Sequence, residues 1–148
     1  MELKEKIFNL LSNKKSLFLI GPTDSGKSYF IKNELLPFLQ SKNFAVCYFS
    51  NCEQIPDSKI IGDGVIIDEM ETFQDKDFLE TIHINEKPYY TDQYLAKVKS
   101  WFDKLQNVQL PAVYVITRNS PVEIQNFIKT VKKTEWNNKD VECVEFYR

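Results

Sequence analysis

The sequence predicts a three-layer α/β fold, in which helices cover both faces of a parallel β-sheet. Runs of apolar, β-branched and aromatic residues alternate along the chain with segments of helical periodicity. The run at 64–68 is apolar up to its last residue, which is typical of a strand buried on both faces. At 148 residues and 43% hydrophobic content, the chain has the length and the apolar residues for one core. We therefore expect a single domain over residues 1–148.

Five strands are expected from β-branched and aromatic content, each between polar or turn-forming residues. They cover residues 16–20, 44–50, 64–68, 111–117 and 141–147. Helices are expected where apolar residues recur at intervals of three and four, or where capping residues begin a segment. They cover residues 2–12, 27–42, 91–106 and 120–133, with a short one within 75–84. The last helix has the clearest start, because Ser120 and Glu123 form a capping-box pair around Pro121.

Charge, cysteine content and hydropathy disfavour several classes of protein. The net charge of −2 and the pI near 5.5 give no overall basic field for nucleic acid, although a local basic patch is compatible with them. Cys47, Cys52 and Cys143 lack the spacing of a zinc site or a redox pair, so we expect reduced thiols, buried where they lie in strands. The charged N-terminal segment and the lack of a long apolar run predict a cytoplasmic protein without a membrane partner.

The stretch GPTDSGKS, residues 21–28, has the fixed positions of a phosphate-binding loop, G-x-x-x-x-G-K-[ST]. A predicted strand precedes it and a predicted helix follows it, so backbone N–H groups can turn inward beside the positive end of a helix. Lys27 is expected to reach the β- and γ-phosphates of a nucleotide, and the Ser28 hydroxyl to ligate Mg²⁺. The alternative is a strand–turn–helix connection that matches the pattern by chance. The expected nucleotide contacts are Gly21, Pro22, Thr23, Asp24, Ser25, Gly26, Lys27, Ser28 and Tyr29.

Asp24 is the member of this loop that opposes anion binding. It occupies one of the variable positions of the motif and places a carboxylate in a loop built for phosphate. We expect it either to point to solvent or to weaken the affinity for a nucleotide.

A second motif lies in GVIIDEM, residues 64–70, where Asp68 and Glu69 follow four residues of a predicted strand. This is the Walker B pattern, and ligands of open α/β sheets bind at the carboxyl ends of the strands. Asp68 is expected to hold Mg²⁺ largely through water. Glu69 is expected to act as the general base for the water that attacks the γ-phosphate, which indicates hydrolysis more than kinase chemistry. The alternative is a strand end that happens to be acidic.

The strand at 111–117 also ends in polar residues, Thr117, Arg118 and Asn119. With this third feature the chain resembles the P-loop ATPases of the AAA+ and superfamily 3 helicase type, and ITRN is similar to the strand ending of those helicases. The resemblance covers nearly the whole chain and implies a five-stranded P-loop NTPase sheet of order 5-1-4-3-2, with ATP and Mg²⁺ as cofactors. It also implies a sensor residue near the γ-phosphate, for which Asn119 is the first choice and Thr117 the second. Alternatively, Asn119 caps the following helix.

Two departures from this family predict slow turnover. The sequence stops at Arg148, so we expect neither the helical lid of the family nor its second sensor arginine. Before the last strand, where the family presents an arginine finger to a neighbouring subunit, the chain has Lys129, Lys132 and Lys133. Lysine lacks the planar fork of arginine, and an arginine finger accelerates hydrolysis by orders of magnitude. We therefore expect a site that a neighbouring subunit or a protein partner completes.

The segment HINEKPYY, residues 83–90, occupies the position where ring helicases of this family place a DNA-contacting hairpin. Lys87, Tyr89 and Tyr90 would supply charge and stacking surfaces, so binding of nucleic acid stays open. The favoured alternative is a loop whose aromatic side chains pack on the core, and His83 is expected to be structural.

The motifs leave three functions open. The favoured one is an ATP-binding and ATP-hydrolysing minimal AAA+-like domain, which drives a nucleotide-dependent interaction with a protein partner, with another copy of itself or with nucleic acid. The second is a nucleotide-dependent binding module or switch with little turnover. The third, a small-molecule or nucleotide kinase, is disfavoured because kinases of this fold use arginine-rich lids and the chain has only Arg118 and Arg148.

Overall fold

The computed structural model describes residues 2–22, 24–50, 54–56, 59–68, 104, 108–133 and 141–146. Within them, five β-strands form one sheet in which every neighbouring pair is parallel. The strands are β1 (Ser16–Gly21), β2 (Val46–Phe49), β3 (Gly64–Ile67), β4 (Ala112–Thr117) and β5 (Val141–Glu145). The five predicted parallel strands are confirmed, and their ends differ from the expected ones by at most two residues.

The strands lie in the order β2-β3-β4-β1-β5. Read from the β5 edge, this order is 5-1-4-3-2, the order that the resemblance implies. Strand β1 therefore lies inside the sheet, where Gly21 pairs with Thr117 of β4 and Ile20 pairs with Glu145 of β5. Because the carboxyl ends of parallel strands meet at one edge of the sheet, the segments that follow β1, β3, β4 and β5 start close together.

Three helical stretches accompany the sheet in the described part of the chain. They are α1 (Leu3–Ser12), a continuous stretch made of α2 (Lys27–Phe30), a π-helical segment (Ile31–Leu35) and α3 (Leu36–Ser41), and α4 (Pro121–Lys133). The π-helical segment interrupts the regular helix predicted for 27–42. Pro37 accounts for it, because proline has no N–H to donate to the carbonyl four residues earlier. The helices expected within 75–84 and at 91–106 lie outside the described residues, apart from the helical Lys104.

Alternate residues of β1 face opposite sides of the sheet. Leu17 and Leu19 belong to a buried cluster with side chains of α1 and of the stretch 27–41. Phe18 and Ile20 belong to a second cluster, against which α4 packs. All four side chains are fully buried, and burial of such side chains contributes about 1.5–3 kcal/mol each. Helices therefore cover both faces of the sheet, and both clusters hold β1 in place below the loop that follows it.

The cysteines in the described strands are less buried than expected. Cys47 and Cys143 are half-buried rather than fully buried, and they form no disulfide within the described part of the chain. Cys52 lies outside it. In the ranges that the structure describes, no helix has the length and apolar content needed to cross a membrane.

Candidate functional site

The candidate site lies at the edge of the sheet where the parallel strands end. The loop after β1 leads from Gly21 to the helical stretch that begins at Lys27, and Thr117 lies beside Gly21 in the sheet. Asp68 follows β3, and its backbone N–H donates to the carbonyl of Phe49 over 2.9 Å. Three strands therefore contribute to this edge. The loop follows β1, the hydroxyl of Thr117 belongs to β4, and the carboxylate of Asp68 follows β3.

Two left-handed backbone conformations shape the loop. Gly26 has a φ of 91° and Asp24 has a φ of 59°. Glycine adopts this region without strain, and aspartate adopts it more readily than most other residues. Gly21 leaves little room for a side chain, because a Cβ atom there would lie 3.2 Å from the Cβ of Phe146 and 3.3 Å from the side chain of Lys27. Both glycines of the motif thus have a structural role in this loop.

Lys27 folds back under the loop. Its side chain is only 7% exposed, and its Nζ donates to the carbonyl of Gly21 over 2.6 Å and to that of Pro22 over 2.7 Å. Burial lowers the pKa of Lys27 below its ordinary value of 10.5, and the negative charge of Asp68 partly offsets that effect. The loop therefore encloses one largely buried amine, held by two backbone oxygens.

Asp68, which follows β3, is in contact with side chains of α2 and β2. The residue is 6% exposed, and its Oδ2 accepts a hydrogen bond from the Ser28 hydroxyl over 3.1 Å and from the Tyr48 hydroxyl over 3.0 Å. The two residues expected to bind a metal ion are thus in direct contact. Sequence reasoning missed Tyr48. The signal that could have revealed it is its place near the end of β2, the neighbour of β3 in the expected strand order.

A cavity of about 340 Å³ opens between these residues. Its lining consists of Asp24, Ser25, Gly26, Lys27, Ser28, Tyr29, Asp68 and Thr117. Most of the expected nucleotide contacts thus share one cavity with the expected metal-binding carboxylate. The described lining contains one cationic residue, Lys27, and two carboxylates, those of Asp24 and Asp68. A polyanion would need further positive charge to bind there.

The oxygen atoms in this cavity suit a magnesium ion that is shared with a phosphate ligand. Mg²⁺ prefers hard oxygen ligands and is usually held by one or two carboxylates together with phosphates and water. The Ser28 hydroxyl and the Asp68 carboxylate supply such oxygens 3.1 Å apart. In the described ranges, no group of three or more His, Cys, Asp or Glu side chains could hold a metal ion alone. The residues fit an ion that reaches the protein with a phosphate ligand.

A larger cavity of about 700 Å³ lies on the β5 side of the loop. Its lining consists of Ile20, Pro22, Asp24, Ser25, Asn119, Ser120, Pro121, Ile124, Gln125, Glu145 and Phe146. Asp24 and Ser25 line both cavities, so this part of the loop separates them. The Ser25 Oγ is buried and has no hydrogen-bond partner among the described residues.

The polar end of β4 is divided between the two cavities. Thr117 lines the smaller one with Lys27, whereas Asn119 lines the larger one. The backbone N–H of Arg118 donates to the carbonyl of Gly21 over 3.2 Å, which ties this segment to the loop. The sensor role of Asn119 stays a prediction. Thr117, the second choice, is the residue that shares a cavity with Asp68.

The predicted cap of α4 by Ser120 is confirmed, whereas the carboxylate of Glu123 bonds one residue earlier than a capping box requires. The backbone N–H of Glu123 donates to Ser120 Oγ over 3.2 Å, and the Glu123 carboxylate accepts from the backbone N–H of Asn119 over 3.0 Å. The hydroxyl of Ser120 therefore caps the helix, and Glu123 binds the N–H of the residue before the cap, Asn119.

Several residues singled out in the sequence lie outside the described residues. They are Thr23, Glu69, His83, Lys87, Tyr89 and Tyr90, together with the side chains of Lys132 and Lys133. The general-base role of Glu69 and the nucleic-acid contact of residues 83–90 stay predictions.

Comparison with known proteins does not assign the chain to a family. A scan against models of protein families found no match, and a search of curated proteins found no significant relative. The function of the site rests on its geometry and on the sequence motifs.

Proposed function

We propose that the chain binds ATP with Mg²⁺ at this edge of the sheet and hydrolyses it slowly, as an AAA+-like ATPase domain. The contact between Ser28 and Asp68 carries the proposal, because it joins the last position of the phosphate-loop motif to the acidic end of β3. A chance match to the loop motif gives no reason for a buried carboxylate to lie there. The strand order is also the one that the resemblance to P-loop ATPases implies.

The loop and the helical stretch after it supply positive charge for a phosphate chain. Backbone N–H groups at the start of a helix carry partial positive charge, and Lys27 adds a full charge when protonated. We expect the Lys27 ammonium to exchange the carbonyls of Gly21 and Pro22 for phosphate oxygens, because hydrogen bonds between charged partners are the stronger ones. Ser28 and Asp68 would hold Mg²⁺, which when bound neutralises phosphate charge.

The larger cavity supports binding of the nucleoside. Because Asp24 and Ser25 line both cavities, a ligand with its phosphates in the smaller one can extend past them into the larger one. There, Ile124 and Phe146 offer apolar surface for a base, and Gln125 offers a polar group. We favour ATP over GTP on the resemblance and because the sequence lacks a guanine-reading N-K-x-D motif.

Hydrolysis requires a base and a positioned water molecule. In the proposed step, Glu69 accepts a proton from water as the water oxygen attacks the γ-phosphorus. The bond from this phosphorus to the bridging oxygen breaks, and ADP leaves with that oxygen. Asn119 or Thr117 would orient the water.

A switch with little turnover is the second candidate, and the charge of the smaller cavity favours it. Lys27 is the only cationic side chain in the described lining, and Asp24 and Asp68 oppose it. Transition-state charge on a transferring phosphoryl group needs positive groups aimed at it. We propose that a neighbouring copy of the chain or another cytoplasmic protein provides the missing cation, with nucleic acid as a further partner class.

Two measurements test both candidates: phosphate release from ATP across a series of protein concentrations, and the affinity for ATP. Lys27→Ala and Glu69→Gln are the inactivating variants, and Lys42→Ala, at the far end of the same helical stretch, is the control lysine. We expect activity per molecule to climb with concentration and to vanish in both inactivating variants but not in the control. Tight ATP binding that needs Lys27, without turnover at any concentration, would select the switch. A wild-type chain that does not bind ATP would refute both.

A further inference from the structure

Tyr48 contacts the site from the edge strand of the sheet. Its hydroxyl donates to Asp68 Oδ2 over 3.0 Å. The geometry is set by the backbone, because Tyr48 pairs with Ile66 in the parallel ladder of β2 and β3. The N–H of Asp68 also continues that ladder by donating to the carbonyl of Phe49. The phenol therefore reaches the carboxylate from a fixed position.

Two hydroxyl groups donate to the same oxygen atom of Asp68. Ser28 approaches from the helix after the loop, and Tyr48 approaches from β2. Rotation of the carboxylate would break both hydrogen bonds, so both favour its present orientation. Because the Ser28 hydroxyl donates its hydrogen bond to Asp68, its lone pairs are directed elsewhere and are available to a cation.

The ring of Tyr48 has a separate structural role. It packs against the buried cluster on the α1 face of the sheet, and the Nζ of Lys32 lies 5.9 Å from its centroid. Phenylalanine retains this ring and removes only the hydroxyl. The two roles can therefore be separated by a single substitution.

We infer that Tyr48 is a positioning residue, whose hydroxyl holds the Asp68 carboxylate in the orientation that binds Mg²⁺ together with Ser28. The inference rests on the proposed binding of ATP with Mg²⁺. Groups that orient metal ligands typically change metal affinity by about 10–100-fold when removed. The Tyr48 hydroxyl therefore affects the affinity for Mg²⁺, whereas the contact between the loop and the phosphate chain does not depend on it.

The test is binding of N-methylanthraniloyl-ATP, followed by fluorescence, to the wild-type chain and to Tyr48→Phe. Each protein is titrated with the nucleotide in EDTA. In a separate titration without EDTA, Mg²⁺ is added at a fixed concentration of the nucleotide. We expect the Mg²⁺ concentration at half effect to rise about tenfold in Tyr48→Phe, while the affinity in EDTA is unchanged. The matched control is Tyr114→Phe, which removes a phenol hydroxyl from β4 in the cluster on the opposite face of the sheet. It should follow the wild type in both titrations.

The outcomes separate the inference from the proposed function. If the wild type responds to Mg²⁺ and Tyr48→Phe responds at the same concentration, the positioning role is wrong. It is also wrong if the affinity in EDTA falls as far as the affinity in Mg²⁺, because the hydroxyl would then support the fold of the loop. A wild-type chain without Mg²⁺-dependent binding overturns the proposed function and this inference with it.

Discussion

The Ser28 hydroxyl donates a hydrogen bond to the Asp68 carboxylate over 3.1 Å, although the two residues are 40 positions apart in the chain. The contact exists because β1 and β3 flank β4 in the sheet and run in the same direction. Their carboxyl ends, and the segments that follow, therefore reach the same edge. A hydroxyl and a carboxylate joined in this way should respond to substitution as a unit.

We expect Ser28→Ala and Asp68→Asn to have non-additive effects on the binding of ATP with Mg²⁺. Residues in contact couple by about 0.5–3 kcal/mol, whereas well separated residues add to within about 0.5 kcal/mol. Calorimetric titration of the four proteins of the cycle measures the coupling. Asp63→Asn is the control partner for Ser28→Ala, because Asp63 lies at the other end of β3, where it accepts from the N–H of Ala45. Equal coupling in both cycles would contradict a shared role.

Lys27 should make stability depend on pH. Burial lowers the pKa of Lys27 in the folded chain, so between that pKa and the ordinary value of 10.5 the unfolded state binds more protons. Stability rises with pH wherever the unfolded state binds more protons. We therefore expect the wild type to gain stability relative to Lys27→Met as the pH rises from neutrality towards 10.5.

Denaturant unfolding without nucleotide, repeated across this pH range, measures the difference. Lys42→Met serves as the control, since Lys42 is an exposed lysine at the end of the same helical stretch. A difference between wild type and Lys27→Met that stays constant with pH would show that burial of the amine has no such effect.

Asp24→Asn should tighten nucleotide binding. The substitution removes a carboxylate from the lining of both cavities, and asparagine tolerates the left-handed backbone at this position. The gain should be several-fold, larger in EDTA than in Mg²⁺, and reduced by added salt because Asp24 is exposed. Titration of a fluorescent ATP analogue at two salt concentrations measures it. Unchanged affinity at both would mean that the Asp24 carboxylate lies too far from the phosphates to matter.

Two neighbouring leucines should differ in their contribution to stability. Leu35 is fully buried in the cluster on the α1 face, whereas Leu36 is half-buried against it. Truncating a buried leucine to alanine removes its transfer free energy and leaves a cavity, which costs about 2–5 kcal/mol. Leu35→Ala should therefore lower the free energy of unfolding by that amount and Leu36→Ala by clearly less. Equal losses would indicate that the helical stretch presents both side chains to the core, Leu35 at the end of its π-helical segment and Leu36 at the start of α3.

Local patterns in the sequence were sufficient for much of the fold and for part of the site. Strand propensity and turn chemistry act between near neighbours, so the strand before Gly21, the loop motif and the Ser120 cap could all be predicted. The order of the strands came from the resemblance to a family, since propensity alone says nothing about which strands pair. The π-helical segment was missed because apolar spacing continues through it, and only the missing N–H of Pro37 signals the change.

The sequence by itself determined the phosphate-loop motif, the acidic end of β3 and the alternation of strands and helices. Only the tertiary structure decided which of these side chains meet. Tyr48 belongs to no motif and lies 20 residues before Asp68, yet the parallel register of β2 and β3 places its hydroxyl on that carboxylate. Thr117 and Asn119 are two residues apart but line different cavities, because β4 ends at Thr117 and the chain then turns into α4. Strand register and the direction in which a chain leaves a sheet depend on contacts between distant segments, which no local pattern contains.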